Sequence, residues 1–278
     1  MVVVCNIPNT DDPVTQVVPC ISVVNSLEKE SLSNCEVILD MSKVTWACPF
    51  SFLILGNKLN ELVQRGCLIR TIPPFTDSVN EYLKKIGFPL GHKKINGTSF
   101  PIRHFANNPD KECVGLFKFV EETFPQTLRG NCINYLLGEL VDNIDQHSRY
   151  THASIMAQFF PKKNIVDIGV IDNGLSIPRL FEENRIPFLT DSEAIESALQ
   201  GLSTKKEARR GYGLPAVHKI TTEGLKGVGY IISRRGCIHV LPNNVRKSYI
   251  LQNHIYNGTV IYLRFSAPKE KINIHPYL

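Results

Sequence analysis

The chain has 278 residues, of which 31 are lysine or arginine and 26 are acidic, giving a formal net charge of +5; 43% are hydrophobic and 21% charged. That balance suits a globular protein with one large or two modest cores, and it excludes disorder and collagen-like repetition. The longest strongly apolar stretch, around Phe50–Leu55, is far short of the ~20 residues a bilayer-spanning helix needs. Met1-Val2-Val3-Val4 runs straight into Asn6, Pro8 and two aspartates without a basic segment, so no secretory leader is expected. The expectation is a cytoplasmic protein with no membrane partner.

The eight cysteines, at 5, 20, 35, 48, 67, 113, 132 and 237, never fall close enough for CxxC zinc or redox geometry. They are expected to be reduced and mostly buried as small hydrophobes. The basic pairs Lys205-Lys206, Arg209-Arg210 and Arg234-Arg235 are local features with no nucleic-acid recognition motif behind them, so nucleic acid is not an expected partner.

Val37-Ile38-Leu39 is a short apolar run flanked by acids, as at a strand end. From Pro49 to Gln64, Phe52, Leu53, Leu55, Leu59, Leu62 and Val63 recur three to four residues apart and predict a helix, which Gly66 stops. Cys67-Leu68-Ile69 then opens what reads as a buried strand, broken by Pro73-Pro74. A second helix follows from about Asp77 to Gly87, with Thr76 as its N-cap. Strand–helix alternation with short connections predicts an α/β layer. Residues 90–112 are polar and turn-rich and read as a linker or crossing between domains.

The run Val37–Val44, the following helix, Arg65–Ile69 and the helix ending Gly87-Phe88 together resemble a STAS domain, the fold of anti-anti-sigma factors, over roughly residues 14–90. Phosphorylatable relatives carry Ser or Thr at the start of the first helix. This chain has Ala47-Cys48-Pro49 there, so the usual phosphorylation switch is not expected.

Within Asn131–Ser148, Ile133, Leu136, Leu137, Leu140, Val141 and Ile144 form one apolar stripe of an amphipathic helix. Glu139, Asn143 and His147 stack at i, i+4 and i+8 along a line roughly a quarter-turn from that stripe. Such a row is either one wall of a cleft or a surface row spaced by accident. Ala153–Phe160 and Ile165–Ile171 predict a hairpin ending in Asp172-Asn173-Gly174. There a carboxylate can face a ligand while the glycine lets the backbone pass closely, though the same triplet is a common turn. Gly211 and Gly213 immediately precede an apolar helix, an arrangement open to anions, with Lys205 in the loop before it. The alternative is a solvated basic loop. No GxxxxGK[ST] and no dinucleotide fingerprint occurs.

In this order, Glu139–His147, Asp172-Asn173-Gly174, Arg210–Leu214 and Asn257-Gly258-Thr259 resemble the N, G1 and G2 boxes and the closing Gly-Thr of the GHKL ATPases, over about residues 113–267. This resemblance implies ATP and Mg²⁺ as cofactors. Asn143 would hold the metal, and Asp172, Gly174 and Thr259 would bind adenine. Gly211, Gly213 and Lys205 would hold phosphates, His147 would line the lid side, and Glu139 would be the general base. Two departures stand out: Ser176 replaces a second glycine, and the G2 segment lacks a fuller glycine run.

The resemblances together imply an α/β protein in three parts: a STAS-like layer (1–92), a linker (93–112) and a GHKL (Bergerat) sandwich (113–278) with helices on one face of a mixed sheet. Only Ser266–Leu278 follows the last strand and no helical hairpin precedes the ATPase half. The kind it most resembles is therefore the anti-sigma-factor serine kinases, whose partner is a STAS or sigma-regulator-like protein. The expected function is an ATP/Mg²⁺-binding regulatory protein of partner-switching type, an ATPase or serine/threonine kinase if catalytically active. The alternative is a non-catalytic, nucleotide-gated interaction module.

Overall fold

The computed structural model describes residues 1–10, 12–29, 32–92, 94–95, 97–106, 110–202 and 213–278. The protein is a mixed α/β structure with a parallel three-stranded sheet, an antiparallel seven-stranded sheet and helices packed on them. No helix among the described residues is long and apolar enough to cross a membrane.

The small sheet has strands β1 (Val2–Val4), β2 (Glu36–Asp40) and β3 (Leu68–Ile72) in sequential order, all parallel. Parallel neighbours require crossovers, which α1 (Pro13–Lys29) and α2 (Pro49–Gln64) supply. One face, carrying Val3, Val37 and Leu39, is buried. The strand expected to be buried, β3, is instead an edge with Leu68 and Ile72 exposed, because among the described residues no strand pairs with its outer side and the buried positions lie on the opposite face. Helix α3 (Asp77–Lys85) follows, with Thr76 in the N-cap position.

The large sheet runs β4 (Ser99–Phe105), β5 (Ala153–Phe160), β6 (Ile165–Asp172), β10 (Tyr256–Ser266), β7 (Val228–Arg234), β8 (Gly236–Leu241) and β9 (Val245–Ile250). Every pairing in it is antiparallel, which corrects the expected mixed sheet. Three of its six pairs, β5–β6, β7–β8 and β8–β9, are hairpins and so antiparallel by construction; β4 and β5 are separated by a pair of helices rather than the single crossover helix of a parallel unit, and β10 enters between β6 and β7 antiparallel to both. Segment 93–112, expected to be a linker, supplies the edge strand β4 and the start of α4 (Asp110–Thr123).

Helices from residue 110 onward cover one face of this sheet, and α1 and α2 of the N-terminal layer cover the other. Ile155, Ala157, Val166, Ile168, Val170, Ile261 and Leu263 point into a core shared with α4, α5 (Asn131–Asn143), α7 (Asp191–Leu199) and α8 (Gly213–Lys219). α6 (Ile177–Glu183) packs beside α7. Alternate residues, among them Met156, Ile171, Val260 and Tyr262, point the other way into a core with α1 and α2. Helix α2 thus lies between the two sheets, with Phe50, Phe52, Leu53, Ile54, Leu55, Leu59 and Leu62 all fully buried; its first half is apolar on nearly all sides, as a helix covered from both sides must be, and its charged residues fall in the second half. It approaches so closely that a Cβ at Gly169 would stand 2.6 Å from Leu53 Cδ2. The Phe50 ring stacks on Tyr262 at 4.5 Å between centroids. On α1, Asn25 accepts the Ile255 amide at 2.9 Å and donates back to its carbonyl, fixing the entry to β10.

The eight cysteines are free. Cys48 is the N-cap residue of α2 and is buried; burial, with the Asp167 charge second, pushes its thiol up to about 12. Ser51, one turn on, is also fully buried. Neither side chain is open to a modifying enzyme.

Candidate nucleotide site

Helix α5 passes without a break into a π-helical turn, Ile144–Ser148, a local widening often found at functional sites. Glu139 and Asn143 are half-buried on this helix. The N-terminal residue of α8, Gly213, faces both: a Cβ there would lie 3.0 Å from Glu139 Oε2 and 3.6 Å from Asn143 Oδ1. A side chain would fill the space between the two polar groups. The Asn143 amide nitrogen is buried and has no hydrogen-bond partner among the described residues. Glu139 accepts from Tyr135; burial first, then the Glu139 charge and this bond, push the phenol up to about 12.

Little more than one turn along the same helix, Ser148 meets the loop after β6. Asp172 closes that strand between Ala153 of β5 and Thr259 of β10, and its side chain is buried. The carboxyl accepts the Gly174 amide at 2.8 Å. Burial raises its pKa to about 7, against the lowering effects of the Gly174 and Thr259 amides and the Ser148 hydroxyl. Asn173 turns the other way and accepts the Thr151 and His152 amides at 3.1 and 2.8 Å.

The reason for glycine at 174 is steric. A Cβ there would lie 2.0 Å from the Ser148 carbonyl oxygen, which also accepts the Leu175 amide. Gly258 is needed twice over, since its φ is +110° and a Cβ would lie 2.1 Å from the Asp172 carbonyl. It sits in an irregularity where β10 shifts register against β7 between Tyr256 and Thr259, next to Thr259, which lies opposite Asp172 in the β10–β6 register. Ser176, which stands where the GHKL pattern has glycine, is the N-cap of α6 and accepts the Arg179 amide at 3.2 Å.

Of the sequence-derived residues, Glu139, Asn143 and Gly213 meet at one end of this helix edge, and Asp172, Gly174 and Thr259 meet at the other. Lys205 and Gly211 lie outside the described residues, as does the side chain of His147. Among the described residues no group of three or more His, Cys, Asp or Glu side chains could hold a metal ion.

Four residues escaped the sequence reading. Ser148 abuts Asp172 and Gly174. Ser233 is fully buried; it donates to the Gly258 carbonyl at 2.9 Å, lies 3.1 Å from the Thr259 hydroxyl and accepts the Ile177 amide at 2.9 Å. Tyr256 donates to the Asp172 carbonyl at 3.1 Å, and Asn57 of α2 donates to that phenol at 3.3 Å. No spacing rule finds such residues, because their partners lie 24 to 199 positions away.

No protein-family model matches this chain, and no curated protein sequence matches it either.

Proposed function

We propose that this is an ATP/Mg²⁺-binding regulatory protein of the GHKL kind, joined to a STAS-like layer and acting by partner switching as an ATPase or serine/threonine kinase. The observation that carries the reading is the alignment of the two groups along α5. Glu139, Asn143 and Gly213 surround one small space, and the buried carboxyl of Asp172 stands a turn away. The donor set fits the group: Asn143 has an amide with an unpartnered nitrogen, so the side chain can turn its oxygen to a cation without breaking a bond. Bound ATP·Mg²⁺ would supply the electrophilic γ-phosphoryl group. Asp172 would accept the adenine amino protons, and the small Gly213 would leave room beside Glu139. Glu139 would accept the proton of water or an acceptor hydroxyl.

Isothermal titration with ATP and Mg²⁺ tests the binding half of this reading, and absence of heat at millimolar nucleotide ends it. For catalysis, Glu139→Ala should lower hydrolysis or transfer by about 10²–10⁴-fold while ATP still binds.

One observation favours the second reading, a non-catalytic interaction module. The outer face of the small sheet leaves Val2, Val4, Leu68 and Ile72 at 61%, 44%, 54% and 42% exposure beside the exposed Arg70–Glu36 ion pair, a mixed apolar and charged surface of the kind found at protein interfaces. Equal, background-level hydrolysis by wild type and Glu139→Ala, with ATP binding intact, would select it.

A further inference from the structure

A cavity lies where the start of α2 and the flank of α3 meet the β5–β6 hairpin and β10. Its volume is about 400 Å³, within the ~300–1,000 Å³ usual for small-molecule pockets and well beyond the ~30 Å³ share of a single water. Trp46, Tyr82 and Phe160 give it three aromatic walls, Val79 an aliphatic one, and Lys163 and Arg264 bring two positive charges. None of these belongs to the nucleotide site.

The charged wall is unevenly satisfied. Arg264 gives Nε and Nη2 to the Asp167 carboxylate, both at 2.7 Å, and Nη2 also reaches the Tyr262 hydroxyl at 3.1 Å. Asp167 is buried, whereas the Arg264 side chain retains 26% exposure. The two N–H groups of Nη1 have no partner among the described residues. A guanidinium bound along one edge by a buried carboxylate offers its remaining nitrogen to one further acceptor. The Asp167 charge behind it sets a limit: a singly charged acid is welcome, whereas a dianion such as a phosphate monoester would face that carboxylate. Trp46, the chain's single tryptophan, stays 39% exposed at the rim, and an occupant would cover its ring.

We propose that this cavity binds a small monocarboxylate with an apolar, ring-sized body, the acid on Arg264 Nη1 and near Lys163, and the body against Trp46, Tyr82, Phe160 and Val79. Because the walls come from the N-terminal layer and from the large sheet alike, such a ligand would hold the two together.

Trp46 makes the test direct, since all tryptophan emission comes from the rim. 4-Phenylbutyrate is the probe and 4-phenylbutanol its uncharged counterpart. The acid should change Trp46 emission saturably, and the alcohol should bind about tenfold more weakly or worse. Lys163→Glu, at an exposed position, should weaken the acid severalfold and leave binding of the alcohol unchanged, and Val79→Phe should weaken acid and alcohol alike by filling the space. The proposal fails if no saturable change occurs up to millimolar acid, if acid and alcohol bind equally, or if saturating ATP displaces the acid.

Discussion

The phenol of Tyr256 donates to the backbone carbonyl of Asp172 at 3.1 Å, and Asn57 of α2 donates to that same phenol at 3.3 Å. The chain of contacts continues through Ser154, which donates to Asn57 Oδ1, to His104 Nδ1 at 2.6 Å from the Ser154 hydroxyl. A buried polar line therefore joins the helix between the two sheets to the strand end that carries the candidate adenine-binding acid.

Tyr256→Phe deletes the hydroxyl that links Asn57 to the Asp172 carbonyl and leaves that carbonyl and the Asn57 amide short of a partner. A loss of about 1–3 kcal/mol is expected in urea unfolding. Asn57→Ala should cost a similar amount, and the double variant should cost less than the sum, because both changes break one network. Additivity within experimental error would show the network to be uncoupled.

Asp172 makes stability depend on pH in the direction opposite to most acids. Its folded pKa, about 7, lies above the ordinary 3.8, so its favourable contribution is complete below pH 3.8 and is lost as pH rises through about 7. Asp172→Asn, which resembles the protonated form and keeps one acceptor oxygen, should be more stable than wild type at pH 8, by up to about 4 kcal/mol. The gap should close toward pH 4. An adenine amino group favours the ionised carboxylate, so ATP affinity of the wild type should rise as pH passes upward through 7, measured by titration calorimetry at constant ionic strength.

His104 works the other way. Burial, with the nearby His152 second, lowers its pKa from 6.5 to about 3, so its contribution is present above pH 6.5 and is lost as pH falls toward 3. His104→Gln should retain a hydrogen bond to Ser154 and resist this acid-side loss. Between pH 4 and 6.5 the two groups oppose each other in the wild type. Urea midpoints of His104→Gln should therefore rise on acidification more than those of wild type, and those of Asp172→Asn should fall more.

The glycines separate structural from ligand roles. Gly174→Ala and Gly258→Ala each drive a methyl group to about 2 Å from backbone oxygen and should destabilise by more than about 2 kcal/mol. Gly213→Ala meets only the end of the Glu139 side chain at 3.0 Å, which can move aside. It should unfold within about 0.5 kcal/mol of wild type while binding ATP at least severalfold more weakly. Unchanged affinity would place the nucleotide elsewhere.

Local pattern in the chain was enough to determine helices α2 and α5, the β5–β6 hairpin and the glycine-bearing turns, because apolar periodicity and turn chemistry act over a few neighbouring residues. The same pattern put Glu139 and Asn143 on one helix edge and Asp172 at a strand end, each by its own segment's geometry. Only the tertiary structure decided that α2 lies between two sheets, that residues 99–105 pair as an edge strand, and that the large sheet is antiparallel throughout. Those outcomes depend on which surfaces meet, and a half-apolar segment such as β3 reads the same whether a neighbour covers it or leaves it at an edge. Tertiary packing also decided why Gly174 and Gly258 must be glycine and why Asp172 titrates near neutrality: backbone from distant segments closes over them and removes the water that would have solvated the charge.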